Sequence, residues 1–290
     1  MRSGCDQQKR LLLVDGHAAA YRFFHGIRPM TSSAGTPVQA VYGFIRMMQQ
    51  LQRTYYPTHQ AVAFDGGVPA FRLALVPEYK AQRKPMPDDL RTQLPILQEY
   101  LRAADVPFFC FDAIEADDII ATFAKRFPGR VYVVTSDKDM FQLISENVTI
   151  VPLSGSAGEL DTAGVQHKTG VLPSQIPDWL ALIGDAADNI KGVPGVGPKT
   201  AAVLLQQFGS LDALFGSLHA VQREGLRRAL EAHRDIVWRN RDMVLLHEVD
   251  ALPGDDMLVN KALPVNALRL FYEKYSFKGF AQALQAPELF

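Results

Sequence analysis

Leu11-Leu-Leu-Val-Asp-Gly16, Ala61-Val-Ala-Phe-Asp-Gly-Gly67 and Val131-Tyr-Val-Val-Thr-Ser-Asp137 share one pattern. In each, a short apolar run stops at an aspartate among turn-forming residues, as a buried strand running into a turn does. Between these runs, Val38–Tyr55 and Gln93–Ala104 carry apolar residues at helical spacing. Strands alternating with helices predict an α/β fold, a mostly parallel central sheet flanked by helices. Ligands of such sheets bind beyond the carboxyl ends of the strands, where Asp15, Asp65 and Asp137 all stand.

Working outward, residues 69–95 interrupt the alternation with a segment rich in Pro and charge, Val76-Pro-Glu-Tyr-Lys-Ala-Gln-Arg-Lys-Pro-Met-Pro87. A stretch this long without a strand reads as a functional loop or lid. After about residue 170 no strand series follows. Pro177–Ile183, Lys199–Phe208, Leu211–Phe215, Leu218–Leu246 and Leu268–Leu284 read as helices. The expected division is an α/β body over 1–170 and a helical region over 171–290.

Of 290 residues, 48% are apolar and 21% charged, which suits a globular chain with a sizeable core. Neither of the two cysteines has metal-ligand spacing. Cys5 lies in a polar leader, and Cys110, within Pro107-Phe-Phe-Cys-Phe111, reads as a small core residue. No disulfide framework is indicated, so a reducing cytoplasm is expected. Neither the residues after Met1–Arg10 nor any later run is apolar for long enough to export the chain or span a bilayer.

The strongest signal is a set of carboxylates at element ends. Glu115-Ala-Asp-Asp118 precedes Ile119-Ile-Ala-Thr-Phe-Ala124, which places Glu115, Asp117 and Asp118 at a helix start, where the macrodipole favours negative charge. Asp137-Lys-Asp139 puts two acids on a strand-to-helix turn. Asp185 and Asp188 have i, i+3 spacing and share one face if that turn is helical. Any one of these is an ordinary turn former or cap, Asp118 above all. Asp15, Asp65 and the later groups together point to one pocket, whose mutual repulsion divalent cations relieve. Mg²⁺ takes oxygen ligands, and two such ions about 4 Å apart can clamp the attacking and leaving oxygens of a phosphodiester.

Net charge is −1, which looks unfavourable for binding nucleic acid, but the total hides a distribution. Setting aside the nine pocket acids leaves 22 Asp and Glu against 30 Lys and Arg. A basic remainder matters because phosphate contacts supply most nucleic-acid affinity. Gly192-Val-Pro-Gly-Val-Gly-Pro-Lys-Thr-Ala201 opens an apolar helix. Gly192, Gly195 and Gly197 permit close backbone approach, the helix start presents N–H groups to an anion, and Lys199 and Thr200 stand in its first turn. With a preceding helix this forms a helix-hairpin-helix over 181–208, a sequence-independent grip on a phosphate backbone. Residues 191–241 hold eight Lys or Arg against four acids, as a basic face or as ordinary solvated helices. In the Pro-rich segment, Arg72, Tyr79, Lys80, Arg83 and Lys84 are candidate DNA contacts. Cations there can neutralise a phosphate as charge builds. Tyr21 and Arg22, two helical turns after Asp15, are candidates at the same mouth, with Tyr21 able to stack on a base or to pack in the core.

Taken together, Val14-Asp-Gly-His17 with Tyr21-Arg22, Thr36–Phe44, Phe64-Asp65, Tyr79-Lys-Ala-Gln-Arg83 with Met86-Pro87, Glu115–Asp118, Thr135–Asp139, Gly184-Asp185 with Asp188-Asn189, and Gly192–Ala201 resemble the 5′-nuclease domain of bacterial DNA polymerase I and its stand-alone relatives. The resemblance runs from about Leu11 to the end. It implies a PIN-like nuclease fold with a helical arch over 69–95. Asp15, Asp65, Glu115 and Asp117 would hold one Mg²⁺ and Asp137, Asp139, Asp185 and Asp188 a second, with Mn²⁺ as the open alternative and K⁺ near Gly192–Gly197. Lys80 and Arg83 would act on the phosphate beside Asp65 and Asp137. Lys191 and Pro198 stand where the family often has proline and glutamate.

The expectation is a structure-dependent 5′→3′ exonuclease and flap endonuclease acting in bacterial replication and repair. Its partners would be flap, nicked or 5′-ended DNA and RNA–DNA hybrids. A departure from the polymerase relatives is length, since the sequence closes at Phe290 without a polymerase portion. A monomer is expected, with a separate DNA polymerase as partner. A metal-dependent ribonuclease leaves the hairpin unexplained, and a non-catalytic branched-DNA-binding protein leaves the complete acid set unexplained.

Overall fold

The computed structural model describes residues 8–153 and 158–284, so Cys5 and most of the leader lie outside the described residues. In chain order the elements are β1 (Arg10–Asp15), α1 (Gly16–Gly26), α2 (Gln39–Tyr55), β2 (His59–Ala63), α3 (Ala70–Leu75), α4 (Asp88–Ala103), β3 (Phe108–Phe109), α5 (Ala116–Arg126), β4 (Arg130–Thr135) and β5 (Val148–Pro152). The second half adds α6 (Thr162–Thr169), α7 (Ile176–Ile183), β6 (Gly184–Asp185), β7 (Ile190–Lys191), α8 (Pro198–Phe208), α9 (Leu211–Gly216), α10 (Glu224–Ala232), α11 (Arg234–Val244), α12 (Val265–Lys274) and α13 (Lys278–Ala283).

The main sheet has the order β3-β2-β1-β4-β5, and every pair in it is parallel. Its centre, β1, is buried on both faces, which explains why Leu11–Val14 is an unbroken apolar run. Leu11 and Leu13 join Ala61, Val131, Val133 and Ile150 in one core, against α5. Leu12 and Val14 join Val62 and Val134 in the other, against α2 and α4. Full burial of each such side chain contributes about 1.5–3 kcal/mol. The register pairs Asp15 with Ala63 and Val14 with Val134. The carboxyl ends of β1, β2 and β4 therefore open on one rim.

Four departures from the sequence reading are local. Helix α4 starts at Asp88 and carries Pro95 inside it. Pro95 is exposed, so the carbonyl that its ring leaves unpaired can face water. The run Leu218–Leu246 breaks at His233 into α10 and α11, and Leu268–Leu284 breaks at Ser276, whose φ is 62°. Cys110 is exposed, not core, because β3 ends at Phe109 and the chain turns outward.

The helical half is not packed as a separate body. Helices α12 and α13 return to the sheet layer, placing Leu268, Phe271 and Tyr272 in the same core as Phe44 and Leu97. Asn260 Nδ2 and N–H donate to Pro57 O (3.1 Å) and Thr58 O (2.8 Å). No helix among the described residues is long and apolar enough to cross a membrane.

Candidate metal and nucleic-acid site

Asp15 ends β1 and caps α1, its Oδ1 accepting the Ala18 N–H at 2.9 Å. Its Oδ2 accepts the Thr135 hydroxyl from β4 at 3.1 Å. Asp65 reaches across from the end of β2 and accepts the Ala116 N–H at 2.9 Å, so it caps α5 from outside that helix. Its own N–H donates to His17 Nδ1 at 2.9 Å, which requires that nitrogen unprotonated. Glu115 is buried just before α5, with Asp117 in the first turn. Asp137 accepts the Asp139 N–H at 2.9 Å in the turn after β4.

Asp185 and Asp188 come from a two-strand hairpin, β6 and β7, rather than from a helical turn. Their i, i+3 spacing falls in the loop of that hairpin, where the Asp188 N–H donates to Asp185 O at 3.3 Å. Asp185 Oδ1 accepts the Ala187 N–H at 2.9 Å, an Asx turn at the start of the loop that carries Asp188. Each is only 8% exposed.

Mutual repulsion shows in protonation. Burial, then the nearby Asp65, pushes the Asp15 carboxyl up to about 7. Burial, followed by Asp137, Asp15, Asp65 and Asp139, holds the Asp117 carboxyl well above the usual range. Asp139 is likewise held well above it by burial and by Asp137, Asp185 and Asp188. Asp137 is raised by burial, with Asp188 and Asp185 adding to the effect and the Asp139 N–H opposing it. These carboxylates therefore face one space in a medium that screens poorly.

Cations from the Pro-rich segment cover that space. Lys80 Nζ bonds to Glu115 and lies 3.9 Å from Asp188, and Arg83 bonds to Asp188. The Tyr79 hydroxyl bridges Glu115 (3.3 Å) and Asp188 (3.2 Å). Backbone bonds stitch the cover down: the Lys80 N–H donates to Asp188 O at 3.1 Å, and Asn189 Nδ2 donates to Glu78 O at 2.9 Å. Lys80 adopts φ 55°, a left-handed conformation that costs a non-glycine residue energy and marks functional segments.

Arg72 and Asp118 fall elsewhere than expected. Arg72 is 3% exposed and bonds to Glu115, to Asp118 at 2.9 and 3.1 Å, and to the carbonyls of Met243 and Leu245. It cannot touch DNA from there. Asp118 spends both oxygens on Arg72 and on the His247 N–H, so it holds the guanidinium rather than a metal ion. Removing one partner of such a buried pair costs about 3–5 kcal/mol. Tyr79 is also buried, its hydroxyl turned to the acids rather than to a base. Sequence reasoning overlooked Lys138, whose ammonium is 3.3 Å from Asp185, and Thr135, His17 and Gln142. The Thr-Ser-Asp-Lys order held the first clue, and nothing in the sequence marked Gln142.

Among the described residues, no three His, Cys, Asp or Glu side chains are already spaced to hold a metal ion. Four of the acids are paired with cations instead: Glu115 with Arg72 and Lys80, Asp118 with Arg72, Asp188 with Arg83 and Lys80, and Asp185 with Lys138. The donor set nonetheless fits hard divalent cations. It is all oxygen, its members repel one another, and Asp139 Oδ1 is buried without any hydrogen-bond partner.

In the hairpin, Val193 and Val196 are buried while Gly195, Gly197 and Lys199 are exposed. Thr200, in the first turn of α8, is partly exposed, so this edge offers backbone to a ligand. Gly192 is required: a Cβ there would fall 2.2 Å from the carbonyl carbon of Ile183. Trp179 Nε1 donates to Pro198 O at 3.0 Å and seats the start of α8 on α7. The basic face is smaller than the residue count suggests. Arg241 is engaged by Asp178, and Arg228 pairs with Glu224 on its own helix. Lys84 is exposed, as is Arg22, which lines a separate 540 Å³ cavity whose walls include none of the nine acids. Tyr21 packs partly in the core, its ring 6.3 Å from His25.

Comparison with known proteins now decides the family. Residues 10–170 match the model for the 5′-3′ exonuclease N-terminal resolvase-like domain, and residues 171–257 match the 5′-3′ exonuclease C-terminal SAM fold. The chain belongs to the 5′-3′ exonuclease family. It is 38% identical to a 5′-3′ exonuclease of Aquifex aeolicus over 93% of each chain. It is 39% identical to DNA polymerase I of Pseudomonas aeruginosa over 96% of this chain, spanning 31% of that protein. Family membership is thus shared with a relative of equal length and with one about three times longer. The PIN-like fold matches the T5 D15 protein co-crystallised with metal ions, at TM-score 0.67 and 22% identity, covering 96% of this chain and 98% of that one. It also matches the catalytic core of Rad2 in complex with DNA substrate, at TM-score 0.66 and 18% identity, covering 98% and 93%.

Proposed function

We propose that the chain is a divalent-metal-dependent 5′-nuclease that hydrolyses DNA phosphodiesters near 5′ ends, both exonucleolytically and at flaps. The observation that carries this reading is the gathering of Asp15, Asp65, Asp117, Asp137, Asp139, Asp185 and Asp188 from distant segments into one repelling pocket. Asp15, Asp65, Glu115 and Asp117 would hold one ion, and Asp137, Asp139, Asp185 and Asp188 another. Mg²⁺ is favoured by the hard oxygen set, and Mn²⁺ is an acceptable substitute. When bound, the ions supply an ionised water and neutralise the phosphate.

The chain's own groups do the rest. Lys80 and Arg83, now on Glu115 and Asp188, are the cations best placed to take up the scissile phosphate once the acids are satisfied. Tyr79 keeps Glu115 and Asp188 in register. The exposed backbone at Gly192–Gly197, with Lys199 and Thr200, grips the duplex without reading sequence, and its carbonyls are the expected K⁺ contact. Lys84 and Arg22 extend the cationic approach. Because recognition is by backbone and shape, RNA in a hybrid is a second substrate. The same reading implies a monomer beside a bacterial nucleoid, with a DNA polymerase as functional partner. The DNA-complexed Rad2 core and metal-bound T5 D15 protein support the substrate and cofactor class.

The direct test is cleavage of end-labelled flap, nicked and blunt duplexes with and without Mg²⁺. The expected result is Mg²⁺-dependent cutting near 5′ ends that Asp65→Ala abolishes. Unchanged Mg²⁺-dependent cutting by Asp65→Ala would remove the catalytic reading, and preferential cutting of single-stranded RNA would favour a ribonuclease.

A further inference from the structure

We propose that α11 is a strut that fixes the DNA-gripping hairpin relative to the acidic pocket, with Arg72 and Gln142 as positioning residues for the carboxylates. The proposal rests on the nuclease reading above. Its evidence lies along a helix that carries no sequence motif.

Midway along α11, Asn240 is wholly buried. Its Nδ2 donates to Ala181 O at 3.1 Å and to Lys191 O at 2.8 Å, one carbonyl from α7 and one from the end of β7. One residue later, Arg241 Nε donates to Asp178 Oδ1 at 2.8 Å, and Asp178 Oδ2 accepts the Leu211 N–H at 3.0 Å. This end of the strut therefore holds α7 and the residue just before the glycine loop, and through Asp178 it is linked to the start of α9.

The other end holds the acids. The last carbonyls of a helix lack partners within it and carry partial negative charge. Here Met243 O accepts Arg72 Nε and Leu245 O accepts Arg72 Nη2, each at 3.2 Å. The remaining donors of the guanidinium reach Glu115 and Asp118, and the His247 N–H reaches Asp118 at 2.9 Å. Gln142 makes the matching connection on the far side. Its Nε2 donates to Val244 O at 2.9 Å and to Asp139 O at 2.8 Å, and its Oε1 accepts the Leu246 N–H at 3.3 Å. One helix end thus grips the start of α5 through Arg72 and the Asp139 turn through Gln142.

Charge balance alone does not require this arrangement, since Lys80 already brings a cation to Glu115. What the guanidinium adds is a planar fork that fixes direction as well as charge. Direction matters because small displacements of catalytic groups cost orders of magnitude in rate.

Arg72→Lys separates the two roles, since it keeps the charge and loses the fork. Four readouts apply: thermal midpoint, Mn²⁺ affinity by electron paramagnetic resonance, flap binding in Ca²⁺, and kcat and KM in Mg²⁺. The strut predicts Mn²⁺ binding weakened about tenfold or more, a comparable fall in kcat, and a flap KM within about twofold of wild type. Asn240→Ala should show the converse, weaker flap binding with Mn²⁺ affinity retained. Wild-type Mn²⁺ affinity and kcat in Arg72→Lys would overturn the proposal, because charge would then suffice. Should Arg72→Lys fail to fold, Gln142→Met decides: weaker Mn²⁺ binding with flap binding retained supports the strut, and an unchanged Mn²⁺ titration overturns it. A wild-type protein that neither binds Mn²⁺ nor cuts the flap sinks the nuclease reading itself. Wild-type activity beside unaffected variants sinks only the strut.

Discussion

Asp117→Asn is expected to lower Mg²⁺-dependent flap cleavage roughly a thousandfold, about 4 kcal/mol of transition-state stabilisation, while raising the thermal midpoint in chelator. Two effects compete at this position. The start of α5 favours a negative side chain by about 0.3–1 kcal/mol. Burial and the charges of Asp137, Asp15, Asp65 and Asp139 oppose it, and they win, because the Asp117 carboxyl is held well above its usual range. A neutral amide relieves that opposition at nearly constant shape. For a chain of this size each kcal/mol relieved raises the midpoint by about 2–4 °C. The same charge is what a divalent cation needs, so stability and activity should move in opposite directions. Calorimetry in EDTA together with single-turnover cleavage checks both. A variant that cuts at the wild-type rate, or that melts earlier than wild type in EDTA, contradicts the account.

The second large effect concerns pH without metal. Asp15 is raised by burial and by Asp65 to about 7 from 3.8, and Asp117, Asp137 and Asp139 are raised as well. Between pH 4 and 7 the folded state therefore binds more protons than the unfolded state. Stability is then fully present below the unfolded value and is lost as pH rises through the folded one. Each unit of such a difference is worth about 1.4 kcal/mol per group. In EDTA the urea midpoint should fall from pH 5 to pH 8, and saturating Mg²⁺ should flatten or reverse that slope. Three groups work in the opposite sense. Glu99, lowered by its bonds to Lys274 and Tyr275 against its burial, acts only near and below 4.5, outside this window. His17 and His59, lowered by burial, act below about 6.5 inside it and are outweighed by the four raised acids. A midpoint that rises with pH in EDTA would show that the acids do not share a pocket.

Much of this site was legible in the sequence because its parts sit where local chemistry changes abruptly. Asp15, Asp65 and Asp137 each end a run of apolar residues, and the period of a buried strand needs no tertiary knowledge to recognise. The start of α5 was legible for the same reason. What was not legible depends on long-range partners. An arginine in a charged, Pro-rich loop reads as exposed, and it is Glu115 and Asp118 together with the carbonyls of Met243 and Leu245, 171 and 173 residues away, that satisfy a buried Arg72. Asp118 then follows Arg72 inward. Asp185 and Asp188 have a helical spacing, yet Gly184 at φ 72°, packed against Gly192, makes a hairpin there. The two-residue β3 was too short to stand out from its surroundings, and β5, although as long as β2, ends in Pro152 rather than in an aspartate and a turn. Cys110 sits among aromatic residues that pack inward while it alone turns out.

Diffraction from crystals grown with Mn²⁺, recorded near the manganese absorption edge, bears most directly on the gathered acids. Two anomalous peaks roughly 4 Å apart should appear, one bordered by Asp15, Asp65 and Asp117 and the other by Asp137, Asp139 and Asp185, with the Lys80 ammonium drawn off Glu115. Saturating Mn²⁺ that leaves no peak among these carboxylates, with Lys80 and Arg83 still bonded to Glu115 and Asp188, would contradict the account.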